Sequence, residues 1–151
     1  MDSVKGNEEK KAYLNRFSES RKAERRIIDQ IKEFESQKIW LKINNNDIGI
    51  CGSRVFKDLS ACMVKEEELI SKMIQIKNRH IEIYVEVLTA VEAVPDERER
   101  EVLTLRYIEC LKWEEIAVKM HVEWAQVHRI HAKALQHFKI PEENVSQCDK
   151  L

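Results

Sequence analysis

From Glu8 to Ile43, apolar residues recur mostly at three- and four-residue steps through a field of Lys and Glu: Tyr13, Phe17, Ile27, Ile31, Phe34 and Leu41. A helix completes a turn in 3.6 residues, so this spacing gathers them along one side of a helix. The stretch Asn44-Asn45-Asn46-Asp47-Ile48-Gly49-Ile50-Cys51-Gly52-Ser53 breaks the pattern. Asn, Asp and Gly tolerate positive φ, so a loop is predicted there, with Ile48 and Ile50 tucked back against a helix. A second helix is expected from Ser53 or Arg54 to about Ala93. Its clearest stripe is Ile70, Ile74, Ile81, Tyr84, Leu88 and Val91, extended by Leu59, Met63 and Met73. The stripe follows a heptad, with Lys77 as its one defect, and is expected to be core or interface. Two long helices joined by a loop predict an antiparallel hairpin. A lone hairpin buries little surface, so it should pack on a third element or on another copy of the chain.

Pro95 ends this pattern, because a proline disfavours helix at the residue before it, Val94. Asp96 can then cap a third helix, with Glu99 placed to return the bond in an Asp version of the capping box. That helix carries Val102, Leu103, Leu105, Arg106, Tyr107 and Ile108, and Pro141 closes the last helix. The expected division is 1–93 as a helical hairpin, coiled-coil-like; 94–140 as a second module; and 141–151 as a frayed tail.

Composition sharpens this all-α reading. The chain has 151 residues, with Gly at 3 and Pro at 2, too few breakers for the turns of a sheet protein. The formal net charge of -1 neither supports nor excludes a nucleic-acid partner, and it predicts modest non-specific attraction to phosphate. Cys51, Cys62, Cys110 and Cys148 form no C-x-x-C pair, which argues against structural zinc. No signal-peptide core follows Met1, and no run approaches the roughly 18 apolar residues of a membrane span. A cytoplasmic protein with reduced thiols is expected.

Residues 113–135, Trp-Glu-Glu-Ile-Ala-Val-Lys-Met-His-Val-Glu-Trp-Ala-Gln-Val-His-Arg-Ile-His-Ala-Lys-Ala-Leu, carry the most information. Ile116 and Ala117 in a first helix, Met120 at its end, Val122 after a turn, and Val127 and Ile130 in a second helix give the apolar offsets of a helix-turn-helix. Ala117 is small, as a close helix crossing requires. His121 takes the turn position where glycine is common, and histidine tolerates positive φ better than most residues. Lys112 and Glu123 stand at the two N-cap positions, and neither is a preferred cap. Glu123 suits the helix dipole but would repel phosphate at that end.

Val94-Pro95-Asp96-Glu97-Arg98-Glu99-Arg100-Glu101-Val102-Leu103-Thr104-Leu105-Arg106-Tyr107, with Trp113-Glu114-Glu115-Ile116-Ala117 and Val127-His128-Arg129-Ile130-His131-Ala132-Lys133-Ala134-Leu135, resembles region 4 of sigma-70-type factors. The likeness covers roughly residues 94–139, and the whole layout is similar to small phage and prophage proteins. The resemblance implies that the second helix of the motif enters the major groove. Carried over by position, it sets Trp124, Ala125, His128 and Arg129 against the bases. Sigma factors usually place Arg and Glu at the first two of these positions. Trp124 and Ala125 cannot form an Arg–guanine fork, so an ordinary -35 sequence should not be read. Arg129 remains able to contact guanine, Ala125 a thymine methyl, and Gln126 a base or phosphate. Lys133 and Lys112 suit phosphate.

His128 and His131 lie i and i+3 on one helix, with His121 nearby in sequence. No H-E-x-x-H pattern or carboxylate partner accompanies them, so no metal and no cofactor is expected. The alternative is a helix face that gains charge near pH 6 and binds DNA more tightly as the pH falls from about 7.5 to 6. Trp113 should pack beneath the module. Trp124 is either a groove contact or a protein-interaction anchor.

Three functions follow. The leading one is a sequence-specific transcription regulator of phage origin that binds double-stranded DNA, its hairpin forming a homodimer or touching RNA polymerase. The second is a protein-interaction module that binds RNA polymerase or another transcription factor without reading DNA. The third is a phage small terminase subunit, disfavoured because such proteins usually put the helix-turn-helix first. No nucleophile elbow, phosphate-binding glycine loop or paired-acid motif points to an enzyme.

Overall fold

The computed structural model describes residues 2–46 and 52–141, with side chains described for residues 6–39 and 60–141. Among these residues every regular element is helical and there is no strand. The long helices are α1 (Asp2–Asn46) and α2 (Gly52–Glu92). They are followed by α3 (Glu97–Leu103), which runs on as a π-helical turn (Thr104–Ile108), and by α4 (Trp113–Lys119) and α5 (Trp124–His137). Asn44–Asn46 continue α1 rather than opening the loop. Asn is only a moderate helix breaker, and no glycine intervenes before Gly49. Ile48 and Ile50, the Leu41 and Leu59 side chains, and the expected tail Glu142–Leu151 lie outside the described residues. No described helix is long and apolar enough to cross a membrane.

The chain divides into two compact units, Met1–Glu19 with Ile81–Leu151, and Ser20–His80. This grouping cuts across both long helices instead of falling at Pro95.

In the unit Ser20–His80, α1 and α2 run antiparallel. Lys38 Nζ bonds the Glu66 carboxylate, whereas Ser20, earlier in α1, meets His80, later in α2, at 2.8 Å between Oγ and Nδ1. Glu24 Oε2 lies 3.6 Å from His80 Nε2. Ile27 and Phe34 are buried on the facing side of α1. The row of α2 turned inward is Cys62, Glu66, Leu69, Met73, Ile76 and His80, all half-buried. This corrects the expected seam. Ile70 and Ile74 are 50% and 56% exposed, and Met63 is exposed too. The occupied row lies one residue earlier, a rotation of about 100°. Its two polar members are accommodated by Lys38, Ser20 and Glu24, cross-helix partners that apolar periodicity does not register.

In the other unit, the first turns of α1, the last turns of α2, α3 with its π-helical turn, and α5 share one core. It gathers Tyr13, Leu14 and Phe17, then Ile83, Val87, Val91 and Val94, then Leu103, Tyr107, Leu135 and Phe138. Here too the expected stripe of α2 is displaced: Ile81 and Tyr84 are exposed, Leu88 is half-buried, and only Val91 of that row is buried. The Tyr13 and Phe138 rings lie 6.0 Å apart at 45°, and Lys10 Nζ donates to the Leu135 carbonyl at 2.7 Å. A cation at the carbonyl end of α5 complements the helix dipole. Arg16 and Glu86 pair at 2.9 Å, again antiparallel.

At the boundary after α2, Arg100 Nη1 donates to the Val94 carbonyl at 2.8 Å and satisfies a helix end that Pro95 cannot continue. Asp96 caps α3 as predicted, its Oδ1 accepting from Glu99 N at 3.1 Å. The reciprocal half of the box is replaced: the buried Glu99 carboxylate instead lies 2.6 Å from His137 Nδ1, holding α5 against α3.

Candidate nucleic-acid interface

A second, smaller core builds the helix-turn-helix. Val102 and Leu105 of α3 and its π turn, Ile116 of α4 and Val127 of α5 are buried together, with Ala117, Met120, Val122 and Ile130 packed against them. These are the apolar offsets that predicted the motif. The turn between α4 and α5 is a Schellman motif. Val122 N donates to the Ala117 carbonyl at 3.1 Å and His121 N to the Val118 carbonyl at 3.2 Å. This closure needs a left-handed residue, and His121 supplies it at φ 54. Glycine there carries no Cβ penalty. His121→Gly should therefore stabilise the protein by about 1 kcal/mol in urea denaturation; a loss of stability would show that His121 makes a contact worth more than its strain.

A second left-handed residue, Cys110 at φ 59, was not predicted. It ends the π turn, where Glu109 N reaches the Thr104 carbonyl and Leu111 N the Leu105 carbonyl, each at 3.0 Å. No glycine or asparagine marks Ile108-Glu109-Cys110-Leu111, so the sequence holds no signal for it.

Lys112 and Glu123 take the two N-cap positions in extended backbone, as expected. Glu115 Oε2 accepts from Lys112 N at 2.7 Å, which orders the start of α4 without a capping side chain at Lys112 itself. No side chain caps Glu123.

The predicted contact residues separate into two groups. Ala125, Gln126, Arg129 and Lys133 are exposed at i, i+1, i+4 and i+8, one open stripe of α5. Val127, Ala134 and Leu135 fill the opposite side and are buried. Lys112 is exposed at the start of α4. Trp124 is 55% exposed and opens α5.

His128 lies elsewhere. Its ring packs between two indoles, 4.6 Å from the Trp113 centroid and 4.1 Å from that of Trp124. Its Nε2 is buried and has no hydrogen-bond partner. The structure therefore places His128 in an aromatic stack beside the open stripe. Trp113 is half-buried beneath the motif, as expected, with the Arg106 guanidinium 4.5 Å from its ring centroid on top of it. Arg106 also donates from Nη1 to the Leu111 carbonyl at 2.8 Å. Nothing in the sequence singled out Arg106, because its partners lie across a turn rather than at helical spacing.

His131 is buried, only 8% exposed, and its Nε2 shares a 3.0 Å hydrogen bond with the Tyr107 hydroxyl. Burial pushes its imidazole down to about 4, helped by the positive charge of Lys11. Burial likewise pushes the Tyr107 hydroxyl up to about 12. This departs from the expectation that His131 gains charge near pH 6: burial disfavours the cation and keeps the ring neutral through that range. An open cleft of about 470 Å³ runs beside the stack, between Lys11 of α1 and Arg106, Trp113 and His128.

Residues 96–139 match the family model for sigma-70, region 4. No curated protein and no solved structure matches the chain.

Proposed function

We propose, starting from a sigma-70 region 4-like helix-turn-helix at residues 96–139, that the protein is a sequence-specific DNA-binding transcription regulator of phage or prophage origin. The observation that carries this reading is the character of α5. Its open stripe holds Gln126, Arg129 and Lys133, and none of its 14 residues is acidic, in a chain with 27 Asp and Glu. A helix so cleared of negative charge, held by its apolar back, suits insertion into a major groove.

In this reading Arg129 forks onto guanine O6 and N7, Ala125 packs on a thymine methyl, and Gln126 reaches a base or phosphate. Lys133 and Lys112 hold phosphates and fix register. Trp124 borders the groove at the start of the helix, and His128 braces its indole from behind. The hairpin would dimerise or touch RNA polymerase. A two-fold dimer would call for paired half-sites.

Selection from a random DNA library with the purified protein tests this. A recovered motif supports it, and recovery of no motif at low salt removes it. On the selected site, Arg129→Ala should weaken binding by about ten- to hundred-fold and relax preference at one base pair. Lys133→Ala should weaken binding to all sequences alike and lower the salt slope by about one. If both variants bind like the parent, α5 is not the reading helix.

A second reading has its own observation. The exposed Trp124 and near-neutral charge fit a module that grips RNA polymerase and does not read bases. Capture of polymerase by the parent but not by Trp124→Ala, together with an empty DNA selection, would favour it.

A further inference from the structure

We propose that α2 pairs antiparallel with the α2 of a second copy of the chain, through the exposed row Met63, Glu67, Ile70, Ile74 and Lys77. In the unit Ser20–His80, α1 already covers the inward row of α2. The next row, one residue on, repeats the same alternation of four- and three-residue steps. Its apolar members stand in solvent: Met63, Ile70 and Ile74 are each at least half exposed. A helix that carries two heptad rows, one filled and one open, has the pattern of a bundle helix with a neighbour still to come.

The polar members of the row identify that neighbour. Glu67 and Lys77 carry opposite charge and lie five positions before and after residue 72. Ile70 and Ile74 lie two positions before and after it. A two-fold axis crossing α2 at Lys72 therefore sets Glu67 against the partner's Lys77 and Ile70 against the partner's Ile74, and repeats both pairings by symmetry. The same register places each heptad a position opposite a d position. A parallel pair would instead stack Glu67 on its own copy and Lys77 on its own copy, two like-charge layers inside an apolar seam. Lys77 now rests 3.7 Å from Glu24 Oε1 with its side chain more than half exposed, a loose contact that a closer carboxylate would displace.

The pairing rests on the hairpin's proposed role as a dimeriser, but it does not involve the DNA-reading helix, so it is measured without DNA and its failure leaves the reading of DNA by α5 untouched. Sedimentation equilibrium on the full chain should give twice 17.9 kDa. Ile70→Glu with Ile74→Glu should return the mass to that of one chain at unchanged helical circular dichroism. Glu67→Lys and Lys77→Glu should each weaken association by about ten-fold, since each replaces two attractive pairs with two repulsive ones. The double reversal Glu67→Lys with Lys77→Glu should restore parental affinity. A single-chain mass for the parent at about 100 µM, a dimer indifferent to the Ile70 and Ile74 changes, or a double reversal that fails to restore association would each overturn the proposal. Capture of a different protein by this row in place of self-association would do so as well.

Discussion

Phe138→Ala should lower the stability of the protein by about 3–5 kcal/mol, the range for deleting a buried aromatic ring. Phe138 is fully buried in the core that joins α1, α2 and α5. Its ring lies 6.0 Å from that of Tyr13, and its backbone N–H closes α5 by donating to the Ala134 carbonyl at 2.8 Å. Truncation leaves a cavity lined by side chains from three helices, none of which can collapse into it without moving the others. The consequence reaches function because α5 carries the candidate reading stripe. Urea denaturation followed by circular dichroism measures the loss, and DNA binding at rising temperature should fail earlier than for the parent. A loss below about 1 kcal/mol would mean that the end of α5 is not anchored on α1 as described.

The second large effect is a dependence of stability on pH. His131 has an ordinary value of 6.5 in the unfolded chain and about 4 in the fold. Between those values the unfolded state binds a proton that the native state does not. Stability therefore rises with pH across this window and falls as the pH drops from 6.5 toward 4. At about 1.4 kcal/mol per unit, the loss attributable to this one group is about 2–3 kcal/mol. His131→Gln removes the titrating group and leaves a polar neighbour for the Tyr107 hydroxyl. Subtracting its pH–stability curve from that of the parent should isolate the slope. Parallel curves for the two proteins between pH 4 and 6.5 would contradict the burial of His131 as a neutral base. In the range from about 7.5 to 6, the window first expected for a histidine-driven gain in DNA affinity, His131 contributes no new charge.

The helix-turn-helix was legible residue by residue. Ile116, Ala117, Met120, Val122, Val127 and Ile130 have spacings that only a close pair of short helices satisfies, and His121 proved to be the left-handed turn residue. The Asp96 cap and the Pro95 break were legible for the same reason: each acts within a few residues of itself. Half the capping box was not, since Glu99 found His137, 38 positions away. His131 misled because a sequence shows spacing and not depth. His128 and His131 share a helix side, but one is packed between two indoles and the other hydrogen-bonds a buried tyrosine.

The sequence by itself determined the helices, their order, the left-handed turn and the absence of carboxylates from α5. Those follow from periodicity, breakers and residue chemistry, all local. Only the tertiary structure decided which row of α2 is buried. Adjacent rows of a heptad differ by one residue, and both rows of this helix are largely apolar, so periodicity scores them alike. The inner row was selected by pairings between distant residues, Lys38 with Glu66 and Ser20 and Glu24 with His80. Those pairings admit polar side chains where a pattern of apolar residues expects none. The same kind of long-range contact, Tyr13 on Phe138 and Lys10 on the end of α5, built the start of the hairpin into the unit that holds the helix-turn-helix.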